Sequence, residues 1–213
     1  PDVEVDFALL PAVATPTLET DVQLLVEQQD PDVLLMMIGT WEGVGVDTRV
    51  EGWEERYEAN VLAPFVTALA EADVDLVWLG YPPFPPSPED DRHDQLNGAY
   101  ASLPERFPSV SYVPAGEAVA APDGSYLGVV DIPGVGPVPL RQSDGRHLCP
   151  DGAVLMAEAT LAHLQERFEV VPVEGWQRAA WRDDPTNFEH PELCPGLFPP
   201  GATGAATTST TVS

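Results

Sequence analysis

Val33-Leu34-Leu35-Met36-Met37-Ile38 is an unbroken apolar run, closed by Gly39. Six residues are short for a helix, and a run without polar alternation is dry on both faces. That is the pattern of a buried central strand in a parallel sheet. Before it, Leu18, Val22, Leu25 and Val26 fall at i, i+4, i+7 and i+8, which predicts a helix over Leu18–Gln29. After it, Trp53, Tyr57, Val61, Phe65 and Leu69 recur every four residues, which predicts a long helix from about Val50 to Ala72.

The same alternation runs outward in both directions. Val5–Leu10 reads as a short strand stopped by Pro11, and Leu76–Leu79 as another buried strand ending at Gly80. A proline-rich loop (81–88) and an acidic patch (89–91) lead to a weaker helix over Asp94–Phe107 and a strand at Val110–Val113. The turns in 116–140 read as a loop or hairpin. Asp151 is a plausible N-cap for a last helix to Phe168, with Val154, Leu161, Leu164 and Phe168 as its apolar stripe. Strands alternating with helices predict an α/β class: a three-layer α/β/α sandwich with a mainly parallel sheet. One domain spans 1–170. A Trp- and Pro-containing extension, 171–200, packs on it through Trp176 and Trp181, and the Thr/Ala/Gly/Ser tail, 201–213, buries nothing and is expected to be flexible.

The chain has 213 residues and 44% hydrophobic content, enough for one core. Nine basic residues, all Arg, stand against 35 acidic ones, for a net charge of −26. Such a surface repels phosphate backbones and anionic headgroups, so nucleic acid and direct membrane insertion are excluded as expected partners. No apolar run reaches the ~18–20 residues that span a bilayer. Without lysine there is neither a Schiff base nor a phosphate loop of the Gly-Lys type. Cys149 and Cys194 form no CxxC pair, so no zinc site is expected. An even cysteine count in an acidic, lysine-free chain favours an exported protein with one disulfide; the alternative is two unrelated thiols. The chain opens Pro-Asp-Val, with neither Met nor a leader, so its true N-terminus is expected upstream.

In this architecture ligands bind beyond the carboxyl ends of the strands. Three segments should meet there: 39–42, 80–83 and 141–150. The last is the most informative. Asp144 and His147 are three apart in a Gly-containing loop before a helix. A carboxylate so placed accepts from one imidazole nitrogen and leaves the other as a base. An exposed histidine beside a turn-forming aspartate is the plainer reading of the same residues.

Asp144-Gly-Arg-His147-Leu-Cys-Pro-Asp-Gly-Ala153 resembles the last block of the SGNH/GDSL hydrolase superfamily, where Asp and His complete a Ser-His-Asp triad. Pro31 to Glu42 resembles that family's third block, a buried strand opening into an oxyanion loop, and Leu79-Gly-Tyr-Pro-Pro83 its strand-then-proline passage. The likeness covers roughly 5–168, in the right order, and is closest to extracytoplasmic, acyltransferase-associated members. It implies a flavodoxin-like fold and a serine esterase, O-acyl hydrolase or O-acyltransferase acting on a small-molecule or glycan acyl ester. It implies His147 as general base and Asp144 as its orienter. Gly39, Thr40 and Trp41 would stand at the oxyanion, with no metal or organic cofactor.

Two departures stand beside the likeness. There is no Gly-Asp-Ser, and Ser143, adjacent to Asp144, is badly placed for attack assisted by His147. The family's first strand, serine and first helix are therefore expected upstream of Pro1. Where the family carries an oxyanion Asn, this chain has Trp41. The alternative is an SGNH-like extracytoplasmic module that has lost its chemistry. If the serine-bearing strand is missing, Val, Leu and Met side chains should be exposed where it belonged. A Cys149–Cys194 bridge would hold the tail beside the base.

Elsewhere the bland readings lead. Trp53, Trp78, Tyr57 and Phe65 are core residues, and Trp41 is either rim packing or a substrate contact. His93 belongs to a solvated acidic loop rather than a cation site. His163 faces outward on the last helix and His190 sits in the tail, and both are structural or exposed.

Overall fold

The computed structural model describes residues 18–38, 46–86, 91–182 and Cys194. The expected strand at Val5–Leu10 and the tail 201–213 lie outside them.

Helix α1 (Leu18–Gln29) leads into strand β1 (Val33–Met36). A helical rod follows in three parts: α2 (Trp53–Tyr57), a π turn (Glu58–Leu62) and α3 (Ala63–Glu71). Strand β2 (Asp75–Leu79), helix α4 (Asp91–Ser102) and strand β3 (Val110–Val113) come next. A hairpin of β4 (Val129–Ile132) and β5 (Gly136–Pro139) precedes the last helix, α5 (Pro150–Phe168).

The sheet order is β1-β2-β3, all parallel, with Leu34 opposite Leu76 and Leu76 opposite Val110. Side chains alternate across a strand, and the core divides accordingly. Leu76 and Trp78 face Val22, Phe65, Leu96 and Tyr100 from α1, α3 and α4. Val77 and Leu79 face Met156, Leu164 and Phe168 of α5. Helices thus cover both faces, as the strand and helix alternation predicts.

The run at 33–38 departs from the expectation of a fully buried central strand. Among the described residues β1 pairs with β2 alone. Leu34, Met36 and Ile38 enter the core, but Leu35 and Met37, on the other face, are 43% and 45% exposed.

The every-four stripe of the central rod has a local cause and consequence. Such a stripe drifts by about 40° per step around an α-helix. Pro64 has no N–H to return to the Asn60 carbonyl, and its ring crowds that carbonyl. The turn before it widens into the π form, which takes up the drift. Tyr57, Phe65 and Leu69 all stay buried, with Trp53 and Val61 packed beside them.

Three boundaries differ from expectation. The rod starts at Trp53, not Val50, after Gly52 at φ +69°. Helix α4 starts at Asp91, three residues early, and closes in a 3-10 turn at Leu103–Glu105. Cys149, not Asp151, caps α5; Pro150 takes the first helical position, where its fixed φ and missing N–H cost nothing. The Asp151 carboxylate instead accepts from the Arg182 guanidinium at 2.7 Å. That bond, with Gln177 donating to Glu158 at 3.2 Å, holds the segment after α5 against the helix.

Candidate active site

The carboxyl end of β2 is built for close backbone contact. Gly80 donates to the Val113 carbonyl at 2.8 Å, and Gly116 to the Gly80 carbonyl at 3.1 Å. A Cβ on Gly116 would fall 2.3 Å from the Tyr81 carbonyl oxygen, so only glycine lets the two rim segments touch. From α4, the Asn97 side chain clasps the Tyr81 backbone in both directions. Its Oδ1 accepts from the Tyr81 N–H at 2.8 Å and its Nδ2 donates to the Tyr81 carbonyl at 3.0 Å. The proline-rich rim at 81–86 is thereby fixed to the helix that follows it.

Against this rim lies the loop before α5. Its neck is a tight antiparallel bridge between Arg141 and Leu148, tied by Gln142 N–H to the His147 carbonyl at 2.8 Å and Cys149 N–H to the Leu140 carbonyl at 2.9 Å. At its tip, Gly145 adopts φ +74°. The loop touches the rim through Arg141, whose Nη2 lies 3.5 Å from the Pro83 carbonyl, and through Arg146, whose guanidinium stands 5.8 Å from the Phe84 ring centre. Two of the three segments expected at the rim therefore meet.

The Asp144–His147 pair forms within this loop. Asp144 Oδ1 accepts from the backbone N–H of Arg146 at 2.9 Å and of His147 at 3.1 Å. Its Oδ2 lies 2.5 Å from His147 Nδ1. Partial burial acts to raise the Asp144 pKa. The Arg146 N–H, the His147 ring and the His147 N–H outweigh it, so the carboxyl is held below its ordinary 3.8. An ionised acceptor at Nδ1 keeps the ring proton there and makes Nε2 the basic nitrogen. The His147 side chain is 46% exposed, so the pair is open to a reactant.

The Cys149–Cys194 bridge is present, with 5.6 Å between the Cα atoms. It starts two residues after His147, at the cap of α5, and brings Cys194 to the base of the site loop. Gly39, Thr40 and Trp41, expected at the oxyanion, lie outside the described residues, as does His190. Among the described residues no group of His, Cys, Asp and Glu could hold a metal ion. No described helix is long and apolar enough to cross a membrane.

Two histidine expectations are corrected. His93 is not in a solvated loop: it lies on α4, half-buried, with its ring 4.4 Å from that of Phe84. His163 is half-buried rather than outward-facing, and its Nε2 is buried without a hydrogen-bond partner. Extending α4 back to Asp91 carries His93 onto the helix and under the rim.

Sequence reading missed Asn97, the aromatic wall of Phe84 and His93, and Arg141. Arg141 is 3% exposed, and its Nε and Nη1 are buried without partners. Burial pushes its pKa down to about 10, which leaves it charged at neutral pH. A charged residue next to a turn carries no sequence signal that it is buried. A groove of about 270 Å³ between α1 and α3, lined by Val22, Phe65 and Leu69, holds none of these residues.

One family model matches the chain, over residues 17–163, well over half its length and including both Asp144 and His147. The match ends before the 171–182 extension and before Cys194. No curated protein matches the chain. The chain belongs to the family described as protein of unknown function, DUF459.

Proposed function

We propose that the loop 141–150 carries the base and orienter of an SGNH-type serine acyl-transfer site, acting on an acyl ester as esterase or O-acyltransferase. The observation that supports this best is the 2.5 Å contact between His147 Nδ1 and Asp144 Oδ2 at the carboxyl rim of a parallel sheet. The exposed His147 would take the proton of a serine hydroxyl as it attacks the ester carbonyl, then return it to the leaving alkoxide. Asp144 would stabilise the imidazolium between the two steps.

In this reading the nucleophile is a serine from sequence outside this chain. Gly-Asp-Ser is absent. Ser102 and Ser125 donate their hydroxyls to the Ala99 carbonyl and the Asp123 carboxylate, and Ser143 adjoins Asp144. In this reading Gly39, Thr40 and Trp41 supply the oxyanion donors, and loss of one such donor costs about 10²–10³ in rate. The disulfide supports an oxidising, extracytoplasmic location. The absent Asn at Trp41 favours the second reading, an SGNH-like module without catalysis.

The test is a protein that includes the sequence encoded upstream of Pro1, treated with a fluorophosphonate probe and p-nitrophenyl acetate. Serine labelling and hydrolysis that vanish in His147→Ala support the enzyme. A folded longer protein that neither labels nor hydrolyses defeats it and leaves the module. The chain by itself is expected to show no esterase activity, since a base without its nucleophile leaves background rates.

A further inference from the structure

The chain carries 35 acidic residues and nine arginines, so carboxylates are in large excess. Arg49, Arg106, Arg167 and Arg182 each pair with one, at 2.5 to 3.0 Å. The two arginines of the loop that carries the Asp144–His147 pair do not. Arg146 is exposed, rests against the Phe84 ring and has no carboxylate partner among the described residues. Arg141 is buried in the neck of the same loop, with two guanidinium nitrogens unpartnered and a single long contact to the Pro83 carbonyl.

A buried charge without a counter-charge is among the costliest features a fold can hold. The one carboxylate in the loop gives no relief. Asp144 is occupied by two backbone N–H groups and the His147 ring. Four residues of this loop thus put two cations against one anion, in a protein that is otherwise strongly negative. Exposed Arg56 and Arg178 also lack a carboxylate partner among the described residues. They are single, solvent-exposed surface charges, so exposure explains them.

We propose that the 141–147 loop is an oxyanion-binding site: Arg146 grips a carboxylate or phosphate group from solvent, and Arg141 supplies a fixed positive charge beneath it. A planar guanidinium offers its N–H edge in the two-pronged form that both groups accept, and that of Arg146 stands over the Phe84 ring, 5.8 Å from its centre. The buried Arg141 is screened less by water than an exposed cation would be, so its field acts across the loop. Joined to the acyl-transfer reading, on which this step rests, the site makes the substrate an anionic ester, bearing its charge on the acyl chain or the alcohol. Binding itself needs no nucleophile and stands apart from that reading.

The experiment is calorimetric titration of the full chain, at low ionic strength, with succinate, inorganic phosphate and neutral dimethyl succinate. General electrostatics oppose any anion binding to a protein of charge −26, so a saturable one-to-one isotherm reports a specific site. At least one anion is expected to bind where dimethyl succinate does not. Arg146→Gln, an exposed change, should weaken it by about tenfold or more, and Arg178→Gln should leave it unchanged. Arg141→Met should weaken it as well. Binding of phosphate alone assigns a phosphate ligand, binding of succinate alone a carboxylate, and binding of both a general oxyanion site. Failure of both anions to bind, or binding that survives Arg146→Gln, overturns the proposal. Serine labelling and anion titration can fail independently, so each reading is judged on its own result.

Discussion

Gly145 lies against Pro85 so closely that a Cβ on it would fall 2.4 Å from the proline Cγ. Its φ of +74° is also one that other residues adopt at a cost. Gly145→Ala therefore forces the site loop away from the rim and strains its backbone. The expected loss is about 1–3 kcal/mol in urea unfolding, with the His147 ring resonances shifted. Unchanged stability and unchanged resonances would show that the loop is not seated on Pro85.

The bridge at the start of α5 closes a loop of 45 residues. In the chain-entropy account that stabilises the fold by about 4 kcal/mol. Cys194→Ser, or reduction, is expected to lower the denaturant midpoint by that order. Thiol titration of the untreated protein should find no free cysteine until it is reduced. Two titratable thiols in folded material would remove the bridge and the argument for an oxidising compartment.

Asp144 has a carboxyl pKa lowered by folding. A group depressed in this way stabilises the fold fully above its unfolded value and loses that contribution as pH falls through its folded value. Its share of stability should therefore be complete above about pH 5 and be lost as pH falls through the folded value, which lies below 3.8. At 33% side-chain exposure, solvent screens much of the effect. Carboxyl NMR titration of the wild type should place Asp144 below ordinary aspartates, and in His147→Ala it should move upward. A value at or above 3.8 in the wild type contradicts the hydrogen bonding described.

Arg141 gives a prediction opposite in sign to most buried substitutions. Replacing an unpartnered buried cation by an apolar residue of similar length removes a desolvation cost. Arg141→Met should raise the melting temperature, by a few degrees for a change of about 1 kcal/mol in a domain of this size. A fall of several degrees would mean that the guanidinium is held by bonds that support the fold.

Where the sequence was legible, chemistry and position agreed. Val110–Val113 and Leu18–Gln29 were readable to the residue, because each has apolar periodicity bounded by a proline, a glycine or a polar break. Asp144 and His147 were readable because their contact is local, three residues apart across one turn. Long-range placement was not. Nothing adjacent to Arg141 or His93 signals burial, since both are covered by rim residues about 10 to 60 positions away. The exposure of Leu35 and Met37 was not legible, because an apolar run of six carries no mark of which face is left uncovered.

A polypeptide made from its N-terminus contains Cys149 45 residues before Cys194 is added. Every residue of the site loop is therefore synthesised, and free to fold, while its covalent fastener is still missing. The order of events at the site is set by this separation: loop first, lock last. During that interval the thiol two residues from His147 is the exposed end of an unfinished bond. A released chain carrying Cys194→Ser would hold the protein at that stage, with the loop of Asp144 and His147 made but not tied to the tail.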